Sequence, residues 1–205
     1  MYILSRVRVI AALGLLCCAL TSCETITEVT PKADATVAQT QSLGETIYTI
    51  SKGSHYSDNN GYKKLSTSSL KFEATFDSTA VYKTIAANNQ GDINKLYGLS
   101  DCNTSHHTNS ARFGWRWYNN RLEILAYTYL NKKWQYKLLD AVPIGKPAVC
   151  EIKMEDSQYR FIMNGKEVVM PRACSGAGAG YQLYPYFGGD EVAPHAITIK
   201  IKEIQ

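Results

Sequence analysis

A chain of 205 residues, 45% hydrophobic and 20% charged, is long enough to bury a sizeable core. Its formal net charge of +4 is too small to argue for nucleic acid or an anionic membrane surface as a partner. Its six cysteines include no Cys-x-x-Cys pair, which argues against a zinc knuckle or a thioredoxin-like site.

Residues 1–22 read as a targeting signal: Arg6 and Arg8 precede an apolar run over residues 9–20 that is too short to span a bilayer as a helix. The run ends in Leu20-Thr21-Ser22-Cys23, which resembles the lipobox of bacterial lipoproteins. The resemblance implies cleavage before Cys23 and attachment of lipid to it, with acyl chains such as palmitate. It also implies export and a soluble body anchored to the bacterial membrane, with the outer membrane as the expected address. Loss of Arg6 and Arg8 with the leader lowers the net charge from +4 to +2. Residues 23–43 carry Thr, Ala, Gln and Val with a single proline and no sustained period, the composition of a flexible tether. The globular domain is expected over residues 44–205. With Cys23 lipidated, Cys102, Cys150 and Cys174 remain, an odd number that leaves a free thiol if two of them pair. Cys150 with Cys174 is the disulfide to test first, since an exported domain can keep one.

Residues 45–52 read as a first strand, and 53–69, polar and turn-rich, as a loop. The run LKFEATF at 70–76 alternates cleanly, placing Leu70, Phe72, Ala74 and Phe76 inward. Asp77-Ser78 then turns the chain into a strand over 81–85. Residues 87–109 form the longest irregular segment, with one helical turn expected over 93–99; a loop of that length inside a compact domain is usually functional or mobile.

Residues 110–139 organise the rest. Aromatic and β-branched residues alternate between turn signals at Asn119-Asn120 and near Asn131, the mark of consecutive antiparallel strands. A two-residue turn at Asn119-Asn120 sets the register. Trp117 then faces Leu122, Trp115 faces Ile124 and Phe113 faces Ala126 on one surface. On the other, Arg116 faces Glu123 and Arg112 faces Tyr127, with Tyr129 beyond. Trp134 and Tyr136 join Tyr127 and Tyr129 if the next turn has two or four residues, and enter the core if it has three.

Further strands are predicted over 148–155, 158–163 and 166–170, with Asn164-Gly165 as the strongest hairpin signal. Residues 175–180, Ser-Gly-Ala-Gly-Ala-Gly, are expected to loop, since so many small residues cannot hold a strand core. No Lys-Ser/Thr follows them, so they do not make a P-loop. Strands at 181–187 and 196–204 close the chain.

Ten or eleven short strands with almost no helical periodicity point to an all-β, antiparallel sandwich or barrel. The ARFGWRW strand, the YRFIMNG hairpin and the closing ITIKI strand resemble those of the concanavalin A-like lectin and glucanase sandwiches, laminin G-like domains included. That resemblance covers about residues 44–205 and implies a jelly-roll β-sandwich. Such domains commonly bind carbohydrate, and some cleave it.

Sugars present apolar C–H faces beside many hydroxyls, so their sites combine aromatic platforms with planar polar groups. Arg112, Arg116, Glu123, Tyr127, Tyr129 and Trp134 form one candidate ligand-binding set, and Tyr184 and Tyr186 another. No catalytic motif stands out: the Glu-x-Asp-x-x-Glu run of the glucanases of this fold is missing. Arg112, Arg116, Tyr127 and a loop histidine contain the groups a polysaccharide lyase needs. His55, His106, His107 and His195, with Asp101 and Asp190, lack ligand spacing, so no metal or other cofactor is expected. The expected function is carbohydrate binding by a membrane-anchored lipoprotein. The alternatives are a lyase or hydrolase of the same fold and a structural or protein-interaction lipoprotein.

Overall fold

The computed structural model describes residues 42–204; the leader, Cys23 and the tether as far as residue 41 lie outside them. Twelve strands follow in order: β1 (Ser42–Ile50), β2 (Lys64–Thr67), β3 (Ser69–Phe76), β4 (Asn94–Ser100), β5 (Ser110–Tyr118), β6 (Arg121–Leu130), β7 (Lys133–Val142), β8 (Pro147–Glu155), β9 (Gln158–Met163), β10 (Lys166–Pro171), β11 (Gly178–Leu183) and β12 (Ile197–Ile204). They form two six-stranded sheets, β1-β12-β3-β8-β9-β10 and β2-β11-β4-β5-β6-β7, in which neighbouring strands run antiparallel.

The alternation of the sequence becomes the core. Leu70, Phe72, Ala74 and Phe76 of β3 are buried, as are Ile197, Ile199 and Ile201 of β12. Rings from the two sheets meet between them: Phe113 of β5 lies 5.6 Å from Phe72 and 5.2 Å from Phe161 of β9, both edge-on, and Trp115 lies 5.3 Å from Phe76. Burying each such ring contributes about 1.5–3 kcal/mol.

Two-residue turns fix the registers, and in three of them both central residues have positive φ. Asn119 and Asn120 have φ of 52° and 56°, Asn131 and Lys132 of 49° and 70°, and Asn164 and Gly165 of 48° and 82°. Positive φ at both central residues matches the right-handed twist of the flanking strands. Trp117 accordingly pairs with Leu122, Trp115 with Ile124, Phe113 with Ala126, Arg116 with Glu123 and Arg112 with Tyr127. The turn at Asn131 has two residues, so Trp134 pairs with Tyr129 and Tyr136 with Tyr127, outside the core.

Several expectations need correction. The disulfide joins Cys102 to Cys174, whereas Cys150 is a free thiol buried on the core side of β8, where apolar surroundings push its pKa above the ordinary thiol value. The expected helical turn at 93–99 is β4: a register shift between Lys95 and Gly98 breaks the alternation, so Leu96, Tyr97, Gly98 and Leu99 are all buried and no period of two is visible. The small residues of 178–180 open β11 instead of looping. A Cβ on Gly180 would stand 2.3 Å from the Ser100 carbonyl oxygen, so glycine here lets β11 pack against the end of β4. Part of the expected loop at 53–69 is β2, which pairs with β11. Residues 81–85 are irregular, with Tyr82 buried against Trp115 and Phe187 and Ile85 exposed.

Candidate functional site

The outer face of the β2-β11-β4-β5-β6-β7 sheet carries a cleft of about 480 Å³. Its floor is formed by Lys95 of β4, Ser110 and Arg112 of β5, Tyr127 and Tyr129 of β6 and Gln182 of β11. His106 and His107 wall one side; Tyr56, Tyr184, Pro185, Tyr186, Gly188 and Gly189 wall the other. Strand alternation brings Arg112 and Tyr127 to this face, opposite Phe113 and Ala126 in the core.

The histidine wall is held by a buried ion pair. Asp101 and Arg172 have side chains with no exposure and lie 2.7 Å apart. The Tyr159 hydroxyl donates to the Asp101 carboxylate at 2.7 Å, and the backbone N–H groups of Cys102 and Ala179 donate to it at 2.7 and 2.9 Å. Burial works against this carboxylate, but the hydrogen bonds from Arg172 and its other partners outweigh it and hold the pKa below the ordinary value. The Cys102–Cys174 disulfide staples the same loop to the segment following β10. From this base the chain presents His106, whose backbone N–H and Nδ1 both meet the Tyr181 hydroxyl, at 3.1 and 2.8 Å. His107 packs 5.4 Å from Tyr129.

The floor is cationic and unbalanced. Arg112 is 8% exposed. One guanidinium nitrogen donates to the Tyr184 carbonyl, while its Nε has no partner. Gln182, 3% exposed, donates through Nε2 to the Gly98 and Leu183 carbonyls and leaves Oε1 without a partner. Lys95 donates to the Gly188 carbonyl at 2.8 Å and sits over the rings of Tyr127 and Tyr186, at 5.2 and 5.9 Å. Burial, with Arg112 nearby, lowers Lys95 to about 8, and burial lowers Arg112 to about 9, so both are charged at neutral pH. His106 is pulled down to about 4 by burial, with His107 and Arg112 nearby, and is neutral there. None of the described residues lining the cleft is Asp or Glu.

The predicted site residues divide accordingly. Arg112, Tyr127, Tyr129, Tyr184 and Tyr186 line the cleft. Trp134, 58% exposed, lies beside it, parallel to the Tyr127 ring within 5° at 6.4 Å. Arg116 and Glu123 stand further along the strands as a cross-strand ion pair at 2.8 Å, with Arg121 as Glu123's second partner. Tyr184 and Tyr186 do not share one face of a strand, because β11 ends at Leu183: the Tyr184 ring packs against Tyr48 and Tyr97, and the Tyr186 ring stacks on His55. Lys95 and Gln182 join the site without any sequence signal, since only the order of β4, β5 and β11 in the sheet brings them to Arg112. The other histidines are scattered: His55 meets the Phe187 carbonyl and His195 that of Thr79. Asp101, Cys102 and Cys174 come within metal-ligand distance of one another, but the two sulfurs are joined to each other and the carboxylate is held by Arg172.

No protein-family model matches the sequence, and no curated protein matches it. Among solved structures, the chain is similar to the alginate lyase AlyC3, with a TM-score of 0.56 and 9% identity over 78% of this chain and 74% of that one. It is also similar to a functionally unknown protein from Saccharomyces cerevisiae, with a TM-score of 0.50 and 9% identity over 82% and 95%. With its two antiparallel six-stranded sheets, the domain has the concanavalin A-like jelly-roll fold. At 9% identity these likenesses establish the fold and leave the ligand to be argued from the cleft.

Proposed function

We propose that the domain binds carbohydrate in this cleft, and that the chain is an exported lipoprotein held at the bacterial membrane through Cys23. The observation that carries the first half is the cleft lining, which combines buried polar groups of Arg112 and Gln182 with the rings of Tyr127, Tyr129 and Tyr186. A sugar needs both an apolar platform for its C–H face and fixed hydrogen-bonding groups for its hydroxyls.

The platform continues beyond the cleft. Tyr127, Trp134 and Tyr136 form a nearly parallel row with centroids 6.4 and 5.9 Å apart. Trp134 and Tyr136 are 58% and 44% exposed, so a chain of several sugars has more surface to cover than a monosaccharide. Calorimetry against a panel of polysaccharides is expected to find a ligand whose affinity falls about tenfold in Trp134→Ala, roughly the 1.4 kcal/mol of one lost stacking contact. No heat of binding from any polysaccharide refutes the assignment. For the second half, Cys23→Ser is expected to move the protein from the membrane fraction to the soluble one, and its retention in the membrane refutes lipid anchoring.

Cleavage of the bound chain is a second reading, favoured by His106, His107 and Tyr129 beside Arg112, since all three carry groups able to move protons. Paired carboxylates, the usual equipment of glycoside hydrolysis, are lacking among the described residues of the lining, which turns this reading toward a lyase. Product release followed in the same titrations separates binding from turnover.

A further inference from the structure

Two polar groups of the cleft floor are left open in a complementary way. Arg112 Nε is a buried donor without a partner, and Gln182 Oε1 is a buried acceptor without one. Proteins rarely leave such atoms unsatisfied, since each costs about 1–3 kcal/mol. The charge is also open: Arg112 has no carboxylate partner among the described residues, and Lys95, of the same sign, stands close enough for Arg112 to lower its pKa.

Resting on the carbohydrate reading above, we propose that the ligand is an acidic glycan whose carboxylate seats on Arg112, beside Lys95, while a neighbouring hydroxyl donates to Gln182 Oε1. A carboxylate matches the planar fork of a guanidinium better than any neutral sugar group does. A uronic acid carries that carboxylate next to ring hydroxyls, so one sugar residue supplies both the anion for Arg112 and the donor for Gln182. The surrounding rings of Tyr127, Tyr129 and Tyr186 shield the pair from bulk water, so the attraction is stronger than it would be in water.

The test compares polymers that differ only in the acid. Alginate, polygalacturonate and hyaluronan are titrated into the protein, each beside its carboxyl-reduced form, together with neutral glucans and galactans and dextran sulfate. The expected result is binding of at least one polyuronate, with affinity at least tenfold weaker for its reduced form. Arg112→Met is expected to remove that preference and Gln182→Leu to weaken binding several-fold; thermal melts establish that the variants are folded. Equal binding of a polyuronate and its reduced form, or binding of neutral polymers alone, overturns the acidic assignment and leaves the carbohydrate reading standing. Dextran sulfate binding as tightly as the best polyuronate overturns the selectivity for carboxylate. Silence from every polymer overturns both.

Discussion

The domain buries two arginines and treats them oppositely. Arg172, with no side-chain exposure, faces Asp101 and donates to the carbonyls of Glu155, Gly176 and Ala177. Arg112, nearly as buried, donates to the Tyr184 carbonyl and has no counter-charge among the described residues. The first arrangement knits three segments into a rigid base: the end of β8, the loop after β4 and the segment before β11. The second leaves a cation ready for something that is not protein. A buried charge is tolerable only when paired or hydrogen-bonded, so the contrast separates an arginine that holds the fold from one held by it.

The largest effect should come from breaking the first arrangement. Asp101→Ala leaves Arg172 buried without its partner and is expected to destabilise the domain by about 3–5 kcal/mol in urea unfolding. A loss below about 1 kcal/mol would mean that water or another group replaces the carboxylate. A far smaller effect is expected of Arg112→Met. It orphans the Tyr184 carbonyl but also relieves the desolvation of an unpaired cation, and the two oppose each other. Unfolding should place it within about 1 kcal/mol of the parent or above it, while the preference for acidic polymers disappears. If it were as damaging as Asp101→Ala, Arg112 would be a structural residue and the contrast would collapse.

What could be read in advance follows a physical line. The β5-β6-β7 register was legible because Asn119-Asn120 and the alternation of Phe113, Trp115 and Trp117 are local signals. The side occupied by Trp134 turned on a single residue in one turn, and the positive φ of Lys132, where no glycine announces it, decided it. β4 and β11 were misread because their conformation depends on each other: Gly180 is small on account of Ser100, a residue eighty positions away. The cleft was half legible. Arg112, Tyr127 and Tyr129 lie on adjacent strands of one hairpin, whereas Lys95, Gln182 and the histidine wall are brought there by strand order. The disulfide was misassigned for the same reason: its partners lie 72 residues apart, after β4 and after β10, in segments that strand order brings together beside the Asp101–Arg172 pair.

The pairing of β1 with β12 places Ser42 beside Ile204, about 5 Å apart as strand neighbours are. Both ends of the described residues therefore lie at one corner. In engineering terms the domain is a cassette: a host loop only a few residues wide can accept it without stretching, and its two ends can be spliced together while a new opening is cut at the Asn164-Gly165 turn.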